Sequence, residues 1–156
     1  MSLYASGTSV PVTRSRIELE TLLRKYGATE FRTGYSESNR AALVEFAYER
    51  KLVRFVLTMP ALSERRFTHR PDGKPRTPDQ ALAACSQVER QRWRALLLCV
   101  RAKLEIVRNG IVPFEHEFLP YVVLANRRTV AEEMLPRIEL AIAANAMPQL
   151  ALPAPT

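Results

Sequence analysis

The stretch EFRTGYSESNRAALVEFAYERKLVRFVLTMP, residues 30–60, decides the fold. Phe31, Thr33 and Tyr35 alternate with Arg32 and Gly34, and Ala42, Val44, Phe46 and Tyr48 alternate with Leu43, Glu45 and Ala47. Val53, Phe55 and Leu57 then alternate with Arg54 and Val56 before Pro60 ends the run. A period of two places successive side chains on opposite faces, so three short runs of it predict three strands. Ser36 to Arg40 reads as a turn and Glu49 to Lys51 as a tight reversal, which makes the strands an antiparallel meander. One face is strongly aromatic and must be covered by helices.

Helical periodicity flanks the meander on both sides. Upstream, Ile17, Leu19, Leu22, Leu23 and Tyr26 share a face. Ser15 with Glu18 reads as a capping box and Gly27 as the stop. Downstream, Thr77 is an N-cap, Pro78 a first helical residue and Gln80 the partner of a second box, with Asn109-Gly110 closing a helix of about 32 residues and 48 Å. Its apolar residues thin out between Gln87 and Arg92, where a break is conceivable. On the helical wheel Trp93, Leu96, Leu97, Val100, Leu104 and Val107 form one stripe, while Ala95, Leu98, Cys99, Ala102 and Ile106 form another roughly opposite. A helix apolar on two sides calls for cover on two sides: the sheet on one, and C-terminal helices or a neighbouring subunit on the other.

The remaining elements are shorter. Pro113 to Leu119 predicts a short helix and Tyr121 to Leu124 a brief apolar extension. Thr129 with Glu132 forms a third capping box, opening a helix to about Ala144 that Pro136 should kink or shorten. The expected organisation is an extended arm over 1–12, one α+β domain over 13–146 in the order α-β-β-β-α-α-α, and a disordered Pro-rich tail over 147–156.

Composition narrows the function classes. The 156 residues are 47% hydrophobic and 25% charged, an ordinary globular balance with enough chain for a core. The net charge of +7 rests almost wholly on Arg and favours anionic partners: nucleic acid, an acidic protein or a membrane face. No apolar run approaches the roughly 18 residues of a membrane span, and residues 1–12 lack the apolar stretch of a secretory signal. Cys85 and Cys99, about 21 Å apart along one helix, lie beyond disulfide reach and read as small core residues. A cytoplasmic protein without membrane attachment is expected.

Recognised catalytic patterns fail on inspection. Gly73-Lys74 lacks the first glycine of a phosphate-binding loop, and Pro75 follows the lysine. His116-Glu117 begins like a metalloprotease helix, yet Pro120 stands where the second histidine belongs. The His and Cys residues have no structural-zinc spacing. Glu115 and Glu117 read as surface charge, and no nucleophile–base pairing is legible. The expectation is a non-enzymatic protein with no catalytic residue, metal or cofactor.

The cations are the informative residues. Between the third strand and the long helix, residues 59–77 carry Arg65, Arg66, Arg70, Lys74 and Arg76 against Glu64 and Asp72. Pro71, Gly73 and Pro75 leave no periodicity there, so the segment reads as a long flexible connection, basic and next to Phe67 and His69. Such loops suit nucleic-acid backbones and exposed bases. Arg90, Arg94, Arg101 and Arg108 form a row within roughly 40° on the long helix, able to track phosphates or to form a solvated seam between the apolar stripes. Nucleic-acid contacts are assigned to Arg65, Arg66, Arg70, Lys74 and Arg76, with Arg54, Arg90, Arg94 and Arg101 in support.

The segments TRSRIELETLLRKYGA (13–28), RFTHRP (66–71), RQRWRALLLCVRAKLE (90–105) and FEHEFLPYVVL (114–124) resemble, in that order, an uncharacterised family of small proteins encoded by tailed bacteriophages and prophages. The family has no established activity, so the resemblance implies a context and no site residues. That context favours handling replicating DNA or antagonising a host system. Three strands, a basic connection and a long helix are also similar in order to the β-β-β-α core of phage single-strand annealing proteins, a likeness of topology alone. The expected function is a phage accessory protein that binds nucleic acid, single-stranded DNA foremost, as a homo-oligomer engaging about six phosphates. The alternative is an interaction module, a host-defence inhibitor or structural subunit, with an acidic host protein as partner.

Overall fold

The computed structural model describes residues 4–144, with side chains from residue 12 onward. It is an α+β fold in the expected order: α1 (Tyr4–Lys25), β1 (Glu30–Ser36), β2 (Ala41–Tyr48), β3 (Lys51–Thr58), α2 (Arg65–Thr68), α3 (Pro78–Arg108), α4 (Phe114–Phe118) with the 3-10 turn Leu119–Tyr121, and α5 (Val130–Ala144). Among the described residues no helix is long and apolar enough to cross a membrane. The tail expected over 147–156 lies outside the described residues.

The strands form an antiparallel meander of order β1-β2-β3, with Val44 opposite Thr33 on one side and Phe55 on the other. Period-two alternation sends Ala42, Val44, Phe46, Val53 and Phe55 to one buried face. Glu49 and Arg50 close the β2–β3 hairpin with φ of 43° and 65°, a two-residue turn whose twist matches the strands. The aromatic face is filled by α4. Phe118 stands edge-on to Phe46 at 6.0 Å and stacks on Phe114 at 4.5 Å, while Tyr121 stacks on Phe55 at 4.2 Å. Beyond that, Trp93, Leu96, Leu97, Val100 and Leu104 of α3 join Leu19 and Leu23 of α1 in one core.

Helix ends follow their local chemistry. The C-terminus of α1 is a Schellman motif: Ala28 N–H reaches Leu23 O at 3.0 Å and Gly27 N–H reaches Arg24 O at 3.1 Å, with Gly27 at φ 100°. Thr77 and Gln80 make the reciprocal capping box of α3, which runs unbroken for 31 residues through the suspected weak point at Gln87–Arg92. Thr129 and Glu132 cap α5 in the same way.

Several expectations are corrected. From Tyr4 to Val12 the chain is helix and not an extended arm, so α1 begins well before Ser15. The Ser15–Glu18 box does not form because Ser15 lies inside α1, where there is no helix start to cap, and Glu18 instead pairs with Arg14 at 3.1 Å and Arg94 at 3.5 Å. Pro136 does not end α5, which continues to Ala144. Proline leaves the carbonyl four residues earlier without its helical donor, and Arg128 Nη2 supplies one to Glu132 O at 2.5 Å. Cys85 is buried, but Cys99 is exposed with Ala95, Leu98 and Ala102 of the outer α3 stripe.

Candidate nucleic-acid interface

The connection between β3 and α3 carries a short helix and a hydrogen-bonded turn where an irregular loop was expected. Pro71-Asp72-Gly73 is a turn signal, and the chain uses it: Gly73 takes φ 84°, its N–H reaches Arg70 O at 2.9 Å, and Arg70 N–H reaches Lys74 O at 2.8 Å. Asp72 Oδ1 accepts Lys74 N–H at 3.1 Å, and Arg76 N–H closes the ladder on Thr68 O at 2.7 Å. The result is a small hairpin over residues 68–76, standing on α2. Phe67 anchors it, 2% exposed, with α2 packed on α3. The aromatic residue that might have stacked on bases is therefore a core residue.

Three of the loop cations are exposed and without an ion pair among the described residues: Arg65 at the start of α2, and Arg70 and Lys74 flanking the turn. Arg70 has only a 3.4 Å contact to the Gln80 side chain. The other two serve the fold. Arg66 pairs with Glu64 at 2.7 Å and lies over the Phe67 ring at 4.7 Å. Glu64 itself accepts the Ala61 N–H, and that bond together with Arg66 lowers its carboxyl below the usual range. Arg76 Nη1 donates to the carbonyls of Arg66 and Phe67 at 2.7 and 3.3 Å, satisfying the end of α2.

The supporting residues fall on other surfaces. Arg54 does not join the loop: it lies on the opposite face of the sheet, where Nε meets Glu45 at 2.7 Å and Nη1 meets Arg127 O at 2.7 Å. Arg94 is drawn to Glu18 across the α1–α3 seam. Arg101 lines an open groove in that seam with Ile17, Thr21 and Lys25 and has no ion pair among the described residues. Arg90 stands beside Glu89, whose carboxyl is raised by burial and only partly brought back by the Arg90 charge. Arg108 sits over the Tyr26 ring at 5.5 Å. The cations expected to act together thus divide among the hairpin, the helix seam and the outer sheet face.

Two acids of the C-terminal half, Glu115 and Glu117, are paired. Glu115 meets Lys51 at 2.9 Å as the surface charge expected, whereas Glu117 is part-buried against Lys103 at 2.7 Å. Among the described residues no group of His, Cys, Asp and Glu could hold a metal ion. Sequence reading missed Glu45, which is 1% exposed on the outer sheet face. The signal was its register between Arg32 and Arg54, visible once the strands are aligned.

No family model, curated protein or solved structure matches this chain.

Proposed function

We propose that this protein binds nucleic acid through phosphate contacts, without catalysis, as a phage accessory protein whose first ligand to test is single-stranded DNA. The observation that carries the reading is the hairpin with its base: Arg65, Arg70 and Lys74 are exposed, close in sequence on a hydrogen-bonded support, and without an ion pair among the described residues. A net charge of +7 adds attraction at a distance. With Phe67 in the core, contacts go to the backbone and not to stacked bases. Since Arg54, Arg66 and Arg76 are engaged internally, about three phosphates per chain replace the six expected from sequence.

The test is a salt-titrated binding assay with an unstructured oligonucleotide and a duplex. Three phosphate contacts predict a log–log salt slope near −2 on single strands, at about 0.7 per contact. Absence of affinity for either ligand at low salt removes the proposal. A second reading, a protein-interaction module, is favoured by a different observation: α5 buries none of its side chains within the chain.

A further inference from the structure

Helix α5 is amphipathic and its apolar face is uncovered. Met134, Leu135, Ile138 and Ile142 fall on one side of the helix at 42%, 52%, 45% and 63% exposure. Within its own chain α5 packs chiefly against the 3-10 turn Leu119–Tyr121. A 15-residue helix is marginal in water without a packed face, so this stripe needs an occupant.

The same molecule carries a second uncovered helix face. On α3, Ala95, Leu98, Cys99 and Ala102 are exposed, with Ile106 half-buried. The two faces are complementary in shape: α5 offers long side chains, and α3 offers the small residues Ala95, Cys99 and Ala102 beside Leu98 and Ile106. They are also complementary in charge. Arg94 and Arg101 border the α3 stripe seven residues apart, and Glu132 and Glu139 border the α5 stripe at the same interval, about 10.5 Å along either axis. Arg101 and Glu139 each lack an ion pair among the described residues. Glu132 is held by the Thr129 cap, which leaves Glu139 as the acid free to pair.

We infer that a second copy of this chain is the occupant, with α5 of each copy lying on the outer face of α3 of the other. Reciprocal exchange gives two equal contacts about a two-fold axis and leaves neither face open. Arg101 of one copy meets Glu139 of the other at the edge of an apolar seam. The contact uses neither the hairpin cations nor bound nucleic acid, so it stands or falls separately from the binding proposed above.

The experiment is sedimentation velocity on the nuclease-treated full chain, from micromolar to sub-millimolar concentration. Wild type sediments as a dimer. Leu135→Asp with Ile138→Asp gives a monomer that still unfolds cooperatively, because neither side chain is buried in its own chain, with a thermal midpoint that no longer rises with protein concentration. Arg101→Glu weakens the dimer by at least about tenfold, and Glu139→Arg in the same chain restores it. With Ile138→Cys, oxidation links the new thiol to the exposed Cys99 between chains, whereas Cys85 is buried. The inference is overturned by a wild-type monomer throughout, by a dimer indifferent to the aspartates, or by a disulfide confined to one chain.

Discussion

Arg54 and Glu45 face each other across β3 and β2, with Nε 2.7 Å from Oε1, although the pair sits on the face of the sheet away from the core. Arg32 reaches the other carboxylate oxygen from β1, so one buried acid is shared by two guanidinium groups in a row across all three strands. Arg54 is the better buried donor, at 18% exposure against 68% for Arg32, and it also holds the Arg127 carbonyl at the foot of α5. Removing it strands a desolvated carboxylate with one exposed partner. Arg54→Ala should therefore cost about 2–3 kcal/mol in denaturant unfolding, and Arg32→Ala less than about 1 kcal/mol. Equal costs would mean that Arg54 contributes no more than a surface ion pair.

The same acid sets a pH dependence. Burial pushes the Glu45 carboxyl upward, but hydrogen bonds and charge from Arg32 and Arg54 outweigh it, and the net shift is downward. A carboxyl depressed in the folded state contributes stability above its unfolded value, about 4.3 for Glu, and loses it as pH falls through the folded value. Unfolding free energy should fall between pH 5 and pH 3 more steeply in wild type than in Glu45→Gln. Parallel pH profiles for the two proteins would assign the acid sensitivity to other groups.

Hairpin cations that face solvent and those that hold the hairpin together should behave oppositely. Replacing Arg65, Arg70 and Lys74 with alanine removes surface charge alone, so stability should stay within about 0.5 kcal/mol while the salt slope on single-stranded DNA drops by about 2. Arg76→Ala instead leaves the carbonyls of Arg66 and Phe67 without their donor and should destabilise by about 1–2 kcal/mol with little change in slope. A melting series and the salt titration, run on both variants, separate the two roles.

The contrast also marks where sequence reading succeeds. The meander was legible because period two repeats in three runs, and α3 because Thr77, Pro78 and Gln80 announce its start. The inner stripe from Trp93 to Val107 packed as expected. The candidate site was less legible. A list of cations does not say which guanidinium finds a carbonyl or carboxylate, and that is fixed by tertiary contacts such as Glu64 to Arg66 and Glu45 to Arg54. The hairpin did have a local signal in Pro71-Asp72-Gly73, hidden by the absence of apolar alternation around it. Ile17 shows the converse: it fits the helical period of α1 yet is 58% exposed, because the groove between α1 and α3 stays open there.

The β2–β3 turn offers a stabilising change. Glu49 and Arg50 both hold left-handed backbone that favours glycine and asparagine, and neither side chain is buried. Glu49→Asn with Arg50→Gly should raise the unfolding free energy by about 0.5–1 kcal/mol by relieving that conformation. The net charge is unchanged, so a gain cannot be ascribed to weaker repulsion. A loss would indicate that Gly entropy in the unfolded chain outweighs the relieved strain.

Helix α5 carries the last test. Pro136 withholds a donor from the Glu132 carbonyl, and Arg128 replaces it at 2.5 Å while also pairing with Glu133 at 3.0 Å. The two residues should be energetically coupled. Arg128→Ala alone should speed amide exchange along α5, because the carbonyl loses its substitute donor. Pro136→Ala alone should slow it, since an alanine N–H restores the helical bond and removes a penalty of up to roughly 3 kcal/mol. In the double variant the Arg128 change should matter less, leaving only the lost Glu133 pair. Because α5 buries no side chain in its own chain, its exchange reports local opening and not global unfolding. A dimer that clamps α5 would slow exchange as concentration rises, so the cycle is to be measured at fixed concentration in the monomeric background that carries both Leu135→Asp and Ile138→Asp. Strict additivity of the two changes would deny that Arg128 answers for the proline.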